Sequence, residues 1–455
     1  MATATAYSFF FSSTTFVRQY SKSQQYGLSD RKCKPNLGLL MVKAQSNNSY
    51  YRSQVREEDI VIVGGGIAGL ATAVSLHRLG VGSLVLEQGE SLRTGGIALS
   101  LYKNGWRVLD AIGVGSDIRT QFIHLQGLTI KSVDGRVLRA FNFKDDDESQ
   151  EVRAVERGVL LKTLACQLPL KTIRFSSKLT NISRRHIGDD TMLELADGTR
   201  LSAKVVIGCE GIGSPIAKWM GFPKPKYVGY CSIRGLGYFP NGHSCQNKMS
   251  NINGSGVRAG WFPVSSTKIY WNISFKRDSP GPKISDPDEL RKQSKELLRG
   301  WPAETLLEII DHTLDDTIIR APMADRWLWP GLNPLAYSGR VAVVGDAWHP
   351  MTPNLGQGAS VALEDSIVLG RKLAHAVKSG SSSLVEEALE SYERERWPVV
   401  FPLAIKANLL GAVLQTRNPI VGYFRDNIFT PRLNPQSMFK HTNFDVQPLG
   451  LHTKQ

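Results

Sequence analysis

Asp59-Ile60-Val61-Ile62-Val63-Gly64-Gly65-Gly66-Ile67-Ala68-Gly69-Leu70 is the stretch from which this 455-residue chain is read outward. Asp59 to Val63 is short, apolar and β-branched, the composition of a strand buried on both faces. Ile67 to Leu79 reads as a helix stopped by Gly80, and Ser83 to Glu87 as a second short strand. Strand, glycine turn, helix and strand within about 30 residues make a βαβ unit. Gly64, Gly66 and Gly69 stand in G-x-G-x-x-G register. The first permits a tight turn, the second lets the backbone approach a pyrophosphate, and the third packs the helix on the strand. The helix N-terminus at Ile67 and Ala68 then turns free N–H groups and its positive dipole end toward the phosphates. Glu87, about 20 residues on, is placed to accept hydrogen bonds from ribose hydroxyls. Together these features predict a dinucleotide site.

Two further buried strands are predicted far downstream, at Ala203 to Gly208 and Arg340 to Gly345. Between them, residues 226–276 alternate aromatic and small side chains, as in Trp261-Phe262-Pro263 and Tyr270-Trp271. That pattern predicts antiparallel strands that line a pocket or pack a second core. The chain therefore leaves the nucleotide-binding domain and returns to it. The expected divisions are 1–56 as leader, 57–125, 151–217 and 336–380 as nucleotide-binding parts, and 126–150 and 218–335 as substrate-domain parts. Residues 381–455 form C-terminal helices and a tail, and the tail reads as loosely ordered. Leu384 to Trp397 predicts a charged amphipathic helix, with Tyr392-Glu393-Arg394-Glu395-Arg396 as its solvated face. Val399 to Gln415 is apolar but broken by Pro402 and Lys406.

Gly345-Asp346-Ala347-Trp348-His349-Pro350-Met351-Thr352-Pro353-Asn354-Leu355-Gly356-Gln357-Gly358 closes one of the buried strands and opens a helix through Leu363, Glu364 and Asp365. Asp346 at the strand end can hold a sugar-alcohol hydroxyl. Gly356 and Gly358 let the backbone approach a flat ring, with a second helix N-terminus behind it. A positive helix end favours negative charge on that ring, which a reduced flavin carries near N1 and a nicotinamide does not. His349, in a loop beside prolines, reads as a structural donor.

The composition is that of a globular protein, with 42% apolar and 21% charged residues. Half of the +14 net charge sits in the first 56 residues, where eight Lys/Arg face the single acid Asp30 and leave +7. The other +7 is spread over the remaining chain, which carries no nucleic-acid module. The basic, hydroxyl-rich leader has the composition of an organelle transit peptide, read as chloroplast with mitochondrion or cytoplasm as alternatives. No charge-free apolar run reaches the roughly 20 residues of a bilayer-spanning helix. Residues 399–415 admit membrane attachment, although a buried amphipathic helix is the simpler account. Five scattered cysteines without a C-x-x-C pair exclude a disulfide framework and imply no metal site.

GGGIAGL with Glu87, Arg157-x-x-Leu160, Gly208-Cys209-Glu210-Gly211 and GDAWHPMTPNLGQG together resemble the single-component FAD-dependent aromatic hydroxylases, the para-hydroxybenzoate hydroxylase-like monooxygenases, over residues 59 to about 400. Gly256 to Val264 and Tyr270-Trp271 resemble the plant branch, which is salicylate- or urate-hydroxylase-like and related to zeaxanthin epoxidase; the latter carries a further C-terminal domain that this chain is too short to hold. The resemblance implies an α/β fold: a Rossmann-like FAD-binding domain interleaved with an antiparallel-sheet substrate domain, and a helical C-terminus. It implies that Gly64, Gly66, Ile67, Ala68 and Gly69 bind the FAD pyrophosphate and Glu87 the adenosine ribose. Arg157 would contact the pyrophosphate or ribityl chain, Arg93 would pass near the cofactor, Asp346 would hold the ribityl hydroxyls, and Pro353 to Gly358 would face the isoalloxazine. The family's middle motif has Asp where this chain has Glu210, which bears on backbone contacts near the cofactor or on NAD(P)H engagement.

The implied chemistry is reduction of FAD by NAD(P)H, reaction with O2 to a C4a-hydroperoxide, and transfer of one oxygen to a small aromatic or unsaturated substrate. Arg234 and Arg258 lie where a polarising cation is expected, and no residue is named catalytic. A flavin reductase acting on an isoprenoid-type substrate without oxygenation, and a non-enzymatic prenyl-binding escort protein, share the fold. The intact Asp346-to-Gly358 loop argues against the escort, which has no use for a flavin-facing loop.

Overall fold

The computed structural model describes residues 55–93, 98–145, 147–184, 186 and 189–449, so the segment read as a leader lies outside the described residues up to Gln54. The strand Arg56–Val63 runs parallel to Leu84–Leu86 on one side and to Arg200–Gly208 on the other. Val341–Val343 extends the sheet beyond the latter, and Ile173–Arg174 beyond the former. Leu179–Ser183, Thr191–Leu195 and Tyr337–Ser338 complete eight strands. The apolar runs read from sequence are the buried centre of this sheet, as parallel strands covered on both faces require.

A second sheet has seven strands, ordered Ile319–Asp325, Lys226–Tyr238, Lys268–Lys276, Val257–Ser265, Lys248–Asn253, Gly127–Ser132 and Val137–Asn142. All its pairs are antiparallel except Lys248–Asn253 with Gly127–Ser132. A separate core under it joins Trp271, Ile273 and Ile233 to Leu290, Leu306 and Ile310 of the helices Pro287–Leu297 and Glu304–Asp311. Trp271 Nε1 donates to Thr313 Oγ1 at 2.8 Å, so the indole meets no unpaired polar cost.

The C-terminal region departs from the sequence reading in three ways. Ser382–Leu414 is one helix of 33 residues that runs through Pro398 and Pro402. Both prolines are exposed, so the carbonyls they leave unpaired, those of Arg394 and Pro398, face water. The opposite face, Tyr392, Arg396, Val400, Leu403, Ala407, Gly411 and Leu414, recurs every three or four residues and is buried. Its most apolar window has mean hydropathy 1.6, long and apolar enough by composition to cross a membrane, because that criterion tolerates Lys406. Secondly, Tyr392 and Arg396 do not belong to a solvated face; they are 0% and 1% exposed. Thirdly, the tail is packed: Leu449 N–H donates to Ala111 O at 3.0 Å, and Arg107 to Phe444 O at 2.9 Å.

Arg396 explains the last two departures. Its Nε donates to Asp365 at 2.8 Å and its Nη2 to Glu364 at 2.6 Å, both on the helix Gly358–Ser379, while Phe444 of the tail lies over the guanidinium. Asp365 also accepts from Gly345 N–H at 3.2 Å and lies 2.5 Å from His349 Nε2. Glu364 accepts from Asn104 at 2.5 Å. Period analysis put charged residues outside; here two acids and a cation share one buried site, which each alone could not enter. Arg396→Met is expected to cost about 3–5 kcal/mol in urea unfolding, since it strands two buried carboxylates. An unfolding midpoint equal to the parent's would remove this network as a structural element.

Candidate flavin site

Gly64 has φ +108°, and a Cβ there would lie 2.5 Å from Cys209 O. Gly69 has no room either, since its Cβ would reach 1.9 Å from Gly64 O, which is how the helix Ile67–Arg78 comes to sit tight on the turn. Gly66 is different: nothing lies within 4 Å of its would-be Cβ. The middle glycine therefore faces open groove, where a pyrophosphate can approach. No side chain caps this helix and its first turn holds no acid. The helix Gly358–Ser379 also begins without a side-chain cap or a first-turn acid. Two helix N-termini are thus left with free donors toward one groove.

The two helices meet over the turn at Gly345, whose Cβ would lie 3.2 Å from that of Ala362 and 3.3 Å from that of Ala68. Ser366 Oγ fastens them, donating to Ala68 O at 3.0 Å. This places Asp346, open to the groove, beside Gly358, with Asp346 Oδ1 4.0 Å from that glycine's Cβ position. Burial of the site raises the Asp346 carboxyl, opposed by His349 and Arg157. At the other end, Glu87 is buried and accepts N–H bonds from Gly65 at 2.8 Å and Gly89 at 2.9 Å. Each carboxylate oxygen keeps a lone pair for a hydroxyl.

Arg157 opens the helix Arg157–Ala165 and is half-buried. Burial lowers its pKa first, then the neighbouring Arg93; Arg234 acts in the same sense, while Asp346 and Glu87 oppose. Arg93, itself exposed, and Arg157 thus share an electrostatic neighbourhood with both groove acids. Gln357, 1% exposed, accepts from Asn104 at 3.0 Å and keeps its Nε2 without a partner. Pro353 is exposed, and Gly356 turns left-handed at φ +65° against the ring of Tyr102. An open glycine cradle, two uncapped helix ends, clustered arginines, acids at both ends and an orphaned amide donor fit a long anionic dinucleotide bearing sugar hydroxyls.

His349 is 0% exposed, and its Nε2 is held by Asp365, so it supports the loop from behind. Glu210 is engaged by the segment that follows it. It accepts from Ser214 Oγ at 2.8 Å and from Ile216 N–H at 3.4 Å, at the start of the helix Pro215–Trp219. Burial pushes it up to about 7.

Facing the loop Thr352–Gly356 are Arg258, expected from sequence as a polarising cation, and two tyrosines that no motif announced. Tyr230, on the strand Lys226–Tyr238, accepts from Asn354 Nδ2 at 2.7 Å. Tyr102, just before the helix Lys103–Ala111, is buried and pushed up to about 12. Arg258, on Val257–Ser265, is lowered to about 10 by burial, and the groups acting on it are Tyr230, Tyr102 and Arg425. Its Nε has no partner. Arg234 instead hydrogen-bonds Tyr270, whose ring stacks on Phe262 at 4.7 Å.

Two variants separate room from stability. Gly66→Val is expected to unfold at the parent's urea concentration yet purify with at least about tenfold less flavin, as is Asp346→Ala; full flavin retention in both would refute this groove as the cofactor site. Because the folded Glu210 pKa lies above its unfolded value, its ionisation costs stability as pH rises from about 4.5 through 7. Glu210→Gln should remove about 2 kcal/mol of the parent's fall in stability between pH 5 and pH 8, read by urea titration at both values. Parallel pH dependence in both proteins would contradict it.

Residues 57–404 match the FAD binding domain family. Over 403 residues the chain is 34% identical to Monooxygenase 2 of Arabidopsis thaliana, covering 86% of this chain and 98% of that protein. It is 27% identical to an FAD-dependent urate hydroxylase of Klebsiella pneumoniae, covering 76% of this chain and 88% of the relative. Among solved structures, Klebsiella pneumoniae HpxO complexed with FAD and uric acid has the same fold, with TM-score 0.74 and 23% identity over 87% of this chain and 98% of the other. These matches run along nearly the whole length of the relatives, and the chain belongs to the FAD binding domain family of flavin-dependent monooxygenases.

Proposed function

We propose that the protein uses NAD(P)H and O2 to insert one oxygen atom into a small aromatic substrate that carries an ionised oxygen. The observation that carries the substrate class is Arg258. It is a half-buried cation whose Nε is buried without a partner and whose electrostatic neighbours are two phenols, Tyr230 and Tyr102, and another arginine, Arg425. An arginine so placed is costly unless an anion joins it. A carboxylate, phenolate or similar oxyanion on the substrate supplies that partner and sets one end of the ring.

Bound FAD supplies the redox and oxygen-activating chemistry. The chain's own residues do the rest. Gly64, Gly66 and Gly69, with the N–H groups of Ile67 and Ala68, hold the pyrophosphate, and Arg93 and Arg157 balance its charge. Glu87 and Asp346 hold the sugar hydroxyls, and Pro353, Gly356 and Gly358 present backbone to the flavin ring. Tyr102, Tyr230 and the Phe262–Tyr270 stack make an apolar wall that limits water beside the reacting ring. Uric acid in the Klebsiella structure and 2-aminobenzoylacetate in Pseudomonas aeruginosa PqsL are small molecules held by the same fold, which supports a substrate of that size.

The test is NAD(P)H oxidation under 18O2 with salicylate, para-hydroxybenzoate and urate as first substrates. Stimulated oxidation with one 18O atom in the product is the expected result. Reduction of substrate without label would overturn oxygenation in favour of a flavin reductase. Arg258→Gln should raise KM for the acidic substrate at least about tenfold and leave an uncharged analogue unaffected; equal changes for both would remove Arg258 as the anion partner.

A further inference from the structure

The segment after the long helix is folded inside out. Pro419–Phe424 is a short helix without a single buried residue, although its sequence is Pro-Ile-Val-Gly-Tyr-Phe. Ile420, Tyr423 and Phe424 are 66%, 63% and 53% exposed, and Val421, Ile428 and Phe429 are also exposed. The charged residue of the same segment, Arg425, is the buried one. It donates to Gly254 O at 2.9 Å and Leu414 O at 3.0 Å and pairs with Asp426 at 2.7 Å. Asn418 caps the short helix through Ile420 N–H at 2.9 Å, and Asn427 Nδ2 donates to Tyr423 O. Polar side chains therefore build the ridge from within and present its apolar side outward. A contiguous apolar surface of this kind marks an interaction site.

We propose that this ridge, residues 417–432, docks the protein peripherally on an anionic lipid surface. Charge selects the occupant. The exposed cations Arg417 and Arg432 lie within the segment, and Arg136 reaches it through Asn427. Asp426 is the only acid between residues 399 and 444, and Arg425 neutralises it. Apolar and aromatic side chains ringed by Lys and Arg match the boundary between acyl chains and anionic headgroups. A second copy of the chain docking about a two-fold axis would set the same cations against one another. Residues 1–56 carry +7 and are likewise of the wrong sign to cover the ridge. Arg425 also ties the ridge to the turn that follows the strand Lys248–Asn253 of the second sheet and acts electrostatically on Arg258, so the docked face lies on the Arg258 side of the molecule.

The full chain, loaded with flavin, is floated with vesicles of phosphatidylcholine alone or of phosphatidylcholine with phosphatidylglycerol. It is expected to float with the anionic vesicles and to be released by salt. Ile420→Ser/Phe424→Ser/Phe429→Ser should weaken that binding at least about tenfold with unchanged flavin content, and Arg136→Glu/Arg417→Glu/Arg432→Glu should do so independently. Absence of flotation in the parent, or equal flotation of parent and both variants, would overturn the proposal, the latter by placing the contact in the leader or elsewhere. A dimer in light scattering that the serine variant disperses would assign the ridge to a second copy.

Discussion

The carboxylate of Asp365 is the point on which the flavin-facing half of the molecule turns. Fully buried, it takes the N–H of Gly345, the ring of His349 and the guanidinium of Arg396. The first two contacts fix the ends of the turn that displays Asp346, and the third anchors that turn to the long C-terminal helix. A buried anion of this kind is tolerated only with its partners in place. Its desolvation would raise its pKa, but the facing His349 and Arg396 outweigh that and hold it below the ordinary range. The loop is thereby rigid from behind while its front remains backbone and glycine, which suits a surface that must lie flat against a ring.

The groove in front of that loop is electropositive for reasons of architecture more than composition. Two helices arrive uncapped, and the arginines that gather there come from separate places: a loop, a helix start and a strand of the second sheet. Of the groove's two acids, Glu87 is held by the N–H groups of Gly65 and Gly89, and Asp346 stands beside Gly358. The second sheet does similar work on the substrate side. It places Tyr230 and Arg258 on different strands, with the strand Lys268–Lys276 between, and aims both at the same loop.

The C-terminal region shows how burial can invert expectation. One surface of the long helix sinks a charged network, and the segment beyond it exposes its apolar residues over a buried arginine. Both follow from partner supply. Arg396 and Arg425 each find carboxylate or carbonyl acceptors brought from distant parts of the chain, so burial satisfies them. The apolar ridge finds no cover among the described residues, which is the ground on which lipid docking is proposed.

The βαβ unit, the glycine register, Glu87 and the Asp346-to-Gly358 loop were legible in sequence because each is local: a run of apolar residues, a turn that only glycine can make, an acid at a set distance. The return of the chain to the first sheet was legible too, since buried parallel strands leave the same apolar signature wherever they occur. On the substrate side Arg258 was named from sequence and Asn354 lay in the quoted loop, but Tyr102 and Tyr230 were not legible. The four come from separate segments, and only packing of one sheet against one loop brings them together. Arg396 and the tail were misread for the same reason: helical periodicity says which residues share a face but not what that face meets. The sequence by itself determined the glycine turn and the loop that build the candidate cradle, because that backbone geometry is imposed by neighbouring residues. The tertiary structure alone decided the electrostatics and the substrate pocket, because charge stabilisation depends on distances between residues far apart in the chain.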